Sequence, residues 1–177
     1  MRRVVQAAHR LGCNAAAVGV AGDPSPSALQ NAADRLKKIL QGADRMEMNL
    51  LIASSDGFTK DPEKLTELIK KIGGFRIGTF PDFERAAKSG DGNHYLKRLT
   101  PYASALTASS ISFKDAKGGV GYVHEPYDLT EMAKTVVSVG YQGTLAIDYR
   151  GTGDPIEGIE KTKAILSAAL GKEVEAE

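Results

Sequence analysis

Apolar residues fall along the chain in two alternating rhythms. Nearly continuous apolar runs occur at residues 14–20, 48–53, 75–80, 103–113 and 144–149. Each is bounded by glycine or polar residues, and their lengths suit strands covered on both faces. Between them lie stretches whose apolar residues recur three and four apart, the spacing of one helix face. Residues 3–11 form one such stretch and stop at Gly12. Residues 28–40 carry Leu29, Ala32, Leu36 and Leu40 on one side, after the capping loop Asp23-Pro24-Ser25-Pro26-Ser27. Residues 59–62 cap a helix running to Ile72, with Leu65, Leu68, Ile69 and Ile72 inward, and Gly73-Gly74 ends it. Gly90-Asp91-Gly92-Asn93 leads into a helix near residues 94–99. Further helices are predicted at 129–139, stopping at Gly140, and at 156–170.

Strands alternating with helices predict βαβ units and a parallel sheet. Periodicity alone does not separate an open doubly wound sheet from a piece of a barrel. Five βα units fall short of a closed eight-stranded barrel, which takes ~250 residues. No low-complexity linker interrupts the pattern, so residues 1–170 read as a single domain and 171–177 as a polar tail.

Composition narrows the classes. Of 177 residues, 42% are hydrophobic and 25% charged, with a formal net charge of +1. That balance gives no general pull toward nucleic acid or an anionic membrane. The start, Met1-Arg2-Arg3 followed by Val4-Val5-Gln6-Ala7-Ala8-His9-Arg10, is too broken for a signal peptide. No run reaches the ~18 apolar residues that a membrane span requires. The lone Cys13 excludes an intramolecular disulfide and fits a reducing compartment, so the expected location is cytoplasmic.

Several segments resemble the xylose-isomerase-like family of sugar isomerases and epimerases, which includes type 2 apurinic endonucleases. Leu11-Gly12-Cys13-Asn14-Ala15-Ala16-Ala17-Val18 is similar to the turn before strand four of that barrel. Asn49-Leu50-Leu51-Ile52, followed by Asp56-Gly57-Phe58 and Asp61-Pro62, is similar to strand five and its loop. Gly78-Thr79-Phe80-Pro81-Asp82-Phe83 resembles strand six, and Pro101-Tyr102-Ala103 leading to Phe113 resembles strand seven. The most specific match is Gly140-Tyr141-Gln142-Gly143-Thr144-Leu145-Ala146-Ile147-Asp148-Tyr149, like the segment entering strand eight. Gly158-Ile159 with Thr162-Lys163 resembles the last helix. The resemblance implies an α/β fold, a partial or split (β/α)8 TIM barrel of about five parallel strands equivalent to strands four to eight. An open parallel sheet invites pairing. A homodimer or a complex with a separately encoded N-terminal half-barrel is therefore expected, together with a small sugar-like ligand and no nucleic acid or membrane partner.

The resemblance also implies a divalent metal, Mn, Mg or Zn, held at strand C-terminal ends by Glu, Asp, His and Glu after strands five to eight. Each position has a counterpart here. The strand-five Glu falls on Ala53, followed by Ser54 and Ser55. Asp82 keeps the strand-six Asp. The strand-seven positions fall on Thr107 and Ser109. Asp148 replaces the strand-eight Glu, and Arg150 takes the place of the next carboxylate. The metal candidates are thus Asp82 and Asp148, and Asp148 is the catalytic candidate. Each lost acid/base group removes ~10²–10⁴-fold of rate. The expectation is a catalytically degraded member with no cofactor, acting as a structural or ligand-binding subunit. The alternative is an active metal-dependent sugar or sugar-phosphate isomerase or epimerase with a site completed by another chain. An endonuclease role lacks the basic stripe it requires.

Several residues admit a plainer role. Asp82 is a ligand or a turn residue after Pro81. Asp148 is a ligand, or a salt-bridge partner of Arg150 or Lys114. Lys114, Arg150 and His124 are anion or substrate candidates at the barrel mouth, with His124 expected in a solvated loop. His9 and His94 are expected on the surface, and Cys13 buried. The Gly118-Gly119-Val120-Gly121 loop lacks the strand, loop and helix spacing of a phosphate loop, and Lys117 precedes it.

Overall fold

Helices in this chain begin where the sequence supplies a short side-chain acceptor. The computed structural model describes residues 2–23, 25–55, 57–116 and 121–171. At the start of α2 (Pro26–Asp44) the Ser25 hydroxyl accepts from the Ala28 amide, and at α3 (Pro62–Ile72) Asp61 accepts from Glu63. Pro26 and Pro62 follow these caps, at the position where a missing N–H costs nothing. α2 extends beyond the predicted 28–40 at both ends, starting at Pro26 and running on to Asp44.

The chain forms two units, residues 1–81 with 102–104, and residues 82–101 with 105–177. In the first, α1 (Arg2–Arg10) precedes three parallel strands, β1 (Ala15–Gly19), β2 (Asn49–Ala53) and β3 (Ile77–Phe80), in spatial order β1-β2-β3. α2 and α3 are the crossovers. Ala17 pairs with Leu51, and Leu51 with Gly78. Leu50, Leu51 and Ile52 of β2 are buried, together with Leu29, Leu36 and Leu40 of α2 and Leu65, Leu68 and Ile69 of α3. Ala33 and Ala43, not the expected Ala32, are the buried alanines of α2. Burial of each leucine or isoleucine stabilises by ~1.5–3 kcal/mol before entropy is counted. Gly78 has a packing reason: a Cβ there would stand 2.4 Å from the Tyr102 carbonyl oxygen. Its bare Cα lets the 102–104 segment run alongside, where Thr79 and Ala103 form a parallel bridge.

The second unit holds α4 (Phe83–Lys88), α5 (Gly92–Leu99), β4 (Ala105–Ser110), β5 (Ser112–Asp115), β6 (Tyr122–Glu125), α6 (Leu129–Ser138), β7 (Thr144–Tyr149) and α7 (Pro155–Leu170). β4 and β7 pair in parallel, with Ser109 opposite Asp148. Four aspartates, Asp82, Asp91, Asp128 and Asp154, cap α4, α5, α6 and α7 by accepting from the amide three residues on. Phe83, Leu96, Leu99, Leu106, Leu129 and Val136 are among its buried residues.

The predicted strand over 103–113 is two strands. β4 ends at Ser110, and β5 then pairs antiparallel with β6, Phe113 opposite His124. The break lies at Ile111, whose amide donates to the His124 ring at 2.8 Å. The other four strands and the long helices fall where the apolar rhythm puts them. No helix among the described residues is long and apolar enough to cross a membrane.

Candidate functional site

One arginine organises the C-terminal end of the β4–β7 pair. Asp148 and Arg150 stand two apart at the end of β7, so both project to the same face. Asp82 reaches the neighbouring edge, where it forms a parallel bridge with Thr107 of β4. The Arg150 guanidinium bonds three carboxylates at once. Nη2 is 2.6 Å from Asp82 Oδ2, Nη1 is 2.6 Å from Glu84 Oε2, and Nε is 2.9 Å from Asp148 Oδ2. A second contact to each aspartate, at 3.3 Å for Asp82 and 2.7 Å for Asp148, makes both approaches two-pronged. Burial opposes the charge of Arg150, but the bonds to Asp82, Glu84 and Asp148 outweigh it and raise its proton affinity above the ordinary value. The hydrogen bond from Lys88, then that from Arg150, holds Glu84 below the usual carboxylate range.

Beneath this clamp the polar groups are already committed. Ser109 is fully buried. Its hydroxyl accepts from the Glu84 amide at 2.8 Å and reaches Asp82 Oδ1 at 3.3 Å. The Tyr127 phenol donates to the Ser109 carbonyl at 2.8 Å, and burial pushes its pKa up to about 12. Asp82 itself caps α4 through the Arg85 amide at 2.9 Å.

In the other unit, β2 ends on Ala53, whose methyl neither binds a cation nor carries a proton. The hydroxyls that follow serve the backbone. Ser55 Oγ and Thr59 Oγ1 both donate to the Val20 carbonyl at 2.8 Å, and Ser54 Oγ donates to the Thr59 carbonyl at 2.9 Å. They pin the loop after β2 to the end of β1.

The structure thus brings Asp82, Asp148 and Arg150 together and keeps Lys114 and His124 apart from them. Lys114 pairs with Glu125 across the β5–β6 hairpin. His124 was expected in a solvated loop, but it lies in β6 and only 4% of it is exposed. Its Nε2 accepts from Ile111, which leaves the proton on Nδ1 to be donated to the Tyr127 carbonyl at 2.7 Å. Its ring meets Phe113 edge-on with centroids 5.4 Å apart. Burial lowers its pKa, so it is a neutral structural residue. Cys13, expected to be buried, is exposed. His9 and His94 are exposed as expected. Lys117 and residues 118–120 of the glycine loop lie outside the described residues. Glu84 and Tyr127 were not singled out from the sequence, and Ser109 was marked there only as a position where a strand-seven ligand falls. Of the first two, Glu84 alone carried a signal, two residues beyond the helix-capping Asp82.

These residues do not fit a divalent metal. Among the described residues no group of three or more His, Cys, Asp or Glu side chains is arranged to hold one. The guanidinium stands among the three carboxylates that would bind a cation, and Thr107 and Ser109 provide no imidazole.

Comparison with known proteins bears on the fold. The family model described as "Xylose isomerase-like TIM barrel" matches residues 1–169. A xylose isomerase-like TIM barrel protein from Mycobacterium smegmatis, solved in complex with magnesium, is 16% identical with a TM-score of 0.69. The match covers 96% of this chain and 65% of that one. An L-ribulose 3-epimerase is 11% identical with a TM-score of 0.77, covering 99% of this chain and 70% of that one. The IOLI protein with a bound zinc atom is 12% identical with a TM-score of 0.70, covering 99% and 69%. The chain therefore spans about two thirds of the length of these structures. No curated protein matches it in sequence.

Proposed function

The chain belongs to the xylose isomerase-like TIM barrel family, and from that premise we propose that it is a catalytically degraded relative of the sugar isomerases and epimerases. On this reading β1, β2, β3, β4 and β7 are strands four to eight of a partial barrel within one domain, residues 1–170. The protein acts as a structural or ligand-binding subunit beside a second copy or a separately encoded half-barrel, and takes a small sugar-like ligand.

The observation that carries the reading is the state of the side chains at the strand ends. Moving a proton beside a carbonyl needs a group that titrates near the working pH. β2 ends on Ala53, and Ser54, Ser55 and Thr59 are bonded to backbone carbonyls. Ser109 of β4 is buried in bonds to Glu84 and Asp82. The carboxylates that remain are tied to Arg150. Catalysis would lack both its base and its electrophile.

A second reading, an active divalent-metal-dependent isomerase or epimerase completed by another chain, is favoured by the retained Asp82 and the shortened carboxylate Asp148 meeting at the same guanidinium. A single experiment separates them. The protein is incubated in deuterated buffer with a panel of ketoses, aldoses and their phosphates, with and without Mn, Mg or Zn. Exchange at the carbon next to the carbonyl is followed by NMR. The degraded member gives no exchange above buffer, while saturation-transfer signals still report sugar binding. Metal-dependent exchange that disappears in Asp82→Ala would establish the second reading.

A further inference from the structure

We propose that the slot between α6, α7 and one face of β7 binds a fatty-acid-like ligand, a single aliphatic chain carrying one carboxylate, with the chain on Leu145 and Ile147 and the head at Lys163. This goes beyond the functional reading. The slot lies on the opposite face of β7 from Asp148 and Arg150, since neighbouring residues of a strand point to opposite sides.

A parallel strand beneath helices is normally covered. β4 follows the rule, with Leu106 and Ala108 fully buried. Their partners across the ladder, Leu145 and Ile147, are only half-buried. The difference is a cavity of about 480 Å3 beside β7, within the ~300–1,000 Å3 of small-molecule sites. Val136 and Val137 of α6 and Leu166 and Leu170 of α7 wall it. The helix lengths leave this opening. α6 has ten residues and α7 sixteen, about 15 and 24 Å, so α6 does not line the whole flank of α7. Tyr141 lines the slot as well. Its phenol donates to the Thr144 carbonyl at 2.8 Å, and a Cβ on Gly143 would come within 2.6 Å of its hydroxyl oxygen. α7 is held from swinging in to fill the space. Gly158 sets it against the Tyr149 ring, and the Thr162 and Ser110 hydroxyls bond at 2.6 Å. The slot is therefore preformed, which spares a ligand the cost of ordering it.

Wet apolar walls favour an aliphatic occupant. The polar groups on the lining select its head. Lys163 and Ser167 stand four apart on α7 and so share a flank. Lys163 is the only charged residue on the lining, and no ion pair among the described residues engages it. A lysine so placed rests its stem on an apolar wall and keeps its ammonium in water. That ammonium offers a carboxylate a charge-assisted hydrogen bond. The Ser167 hydroxyl and the Gln142 amide carry further donors for a second carboxylate oxygen. One cation suits a monoacid better than a phosphate ester, which carries up to two charges near neutral pH.

The test titrates the full chain by calorimetry with sodium octanoate below its micellar concentration, with octan-1-ol as the uncharged chain and sodium acetate as the head alone. Octanoate is expected to bind one to one and to raise the melting midpoint. Octan-1-ol binds more weakly and acetate not at all. Lys163→Gln weakens octanoate about three- to fivefold, the scale of an exposed ion pair, and Lys163→Glu weakens it further. Both leave octan-1-ol unchanged, and Lys163→Arg keeps octanoate binding. Lys134→Gln, on α6 and outside the slot, changes nothing. Val137 is half-exposed on the wall, so Val137→Phe fills the slot without entering the core and removes binding of both chains. If that variant does not fold, Ser167→Phe and the Lys163 series decide the matter. Sedimentation of wild type and Val137→Phe is read alongside. Absence of saturable octanoate binding overturns the proposal. So does octanoate binding that Lys163→Glu leaves unchanged. A wild-type dimer that Val137→Phe dissociates also overturns it, because the slot then belongs to a second copy. No sugar exchange is read, so failure here is distinct from failure of the functional reading.

Discussion

Replacing Ser109 by alanine tests whether the floor of the carboxylate cluster is structural. The side chain is fully buried, and its hydroxyl is the acceptor for the Glu84 amide at 2.8 Å. That amide lies in the first turn of α4, where the helix itself offers no acceptor. Ser109→Ala leaves the N–H without its partner and deletes the 3.3 Å contact to Asp82. The 2.8 Å Tyr127 bond survives, since it goes to the Ser109 backbone carbonyl, and of that pair only the long 3.4 Å contact between the two hydroxyls is lost. An orphaned buried donor costs ~1–3 kcal/mol, and partial access of water to this amide favours the lower half, about 1.5 kcal/mol. For a chain of this length that is a melting shift of about 3–6 °C. With no tryptophan present, urea unfolding followed by far-ultraviolet circular dichroism is the natural assay. Ser112→Ala is the control, because that hydroxyl bonds a carbonyl at the exposed hairpin; it is expected to stay within about 0.5 kcal/mol of wild type. An Ser109→Ala protein as stable as the control, with an unchanged denaturant slope, would refute the reasoning.

Three more outcomes are expected. His124 is lowered from 6.5 by burial, so the unfolded chain takes up its proton first; the stability this neutral ring contributes is full above pH 6.5 and lost as pH falls toward the folded value. His124→Gln should flatten that loss in melts between neutral and mildly acidic pH, and an unchanged profile would contradict the assignment. Glu84 is lowered from 4.5 by Lys88 and Arg150, so its contribution is present above pH 4.5 and disappears as pH falls through its lower folded value; Glu84→Gln should remove that part of the acid transition. Gly158→Ala would set a Cβ 2.5 Å from Cγ at the base of the Tyr149 ring, where the side chain has little room to swing. A loss of about 1–3 kcal/mol in denaturant unfolding is expected, and a neutral result would show that α7 shifts freely.

Much of the backbone was legible because buried parallel strands are unbroken apolar runs. Leu50, Leu51 and Ile52 announce β2, and Asp61-Pro62 announces α3. α4 was not legible: Phe83–Lys88 spans six residues, too few for a helical period to show. The β5–β6 hairpin was hidden because Ser112, Lys114 and Asp115 are exposed, so no apolar alternation marks them. The Asp148–Arg150 pair was readable from spacing, as residues two apart on a strand share a face. Glu84 joins that pair only through the turn after β3, a tertiary placement that local spacing does not encode. His124 and Cys13 exchanged their expected environments for the same reason. Burial of a single polar or small residue depends on what packs against it, and His124 is enclosed by Tyr127 and Phe113 from either side in sequence.

The pairing of β7 on one flank also sets how its backbone meets solvent. The Arg150 amide donates to the Ser110 carbonyl at 2.7 Å. By the strict alternation of a strand, the amides of Thr144, Ala146 and Asp148 turn the same way, toward β4. Those of Leu145, Ile147 and Tyr149 turn outward, to a flank that no strand borders among the described residues. Isotopic labelling of the amides should therefore write an every-other-residue stripe along β7, slow and fast by turns, and any molecule that adds a strand there would erase the stripe by silencing its fast half.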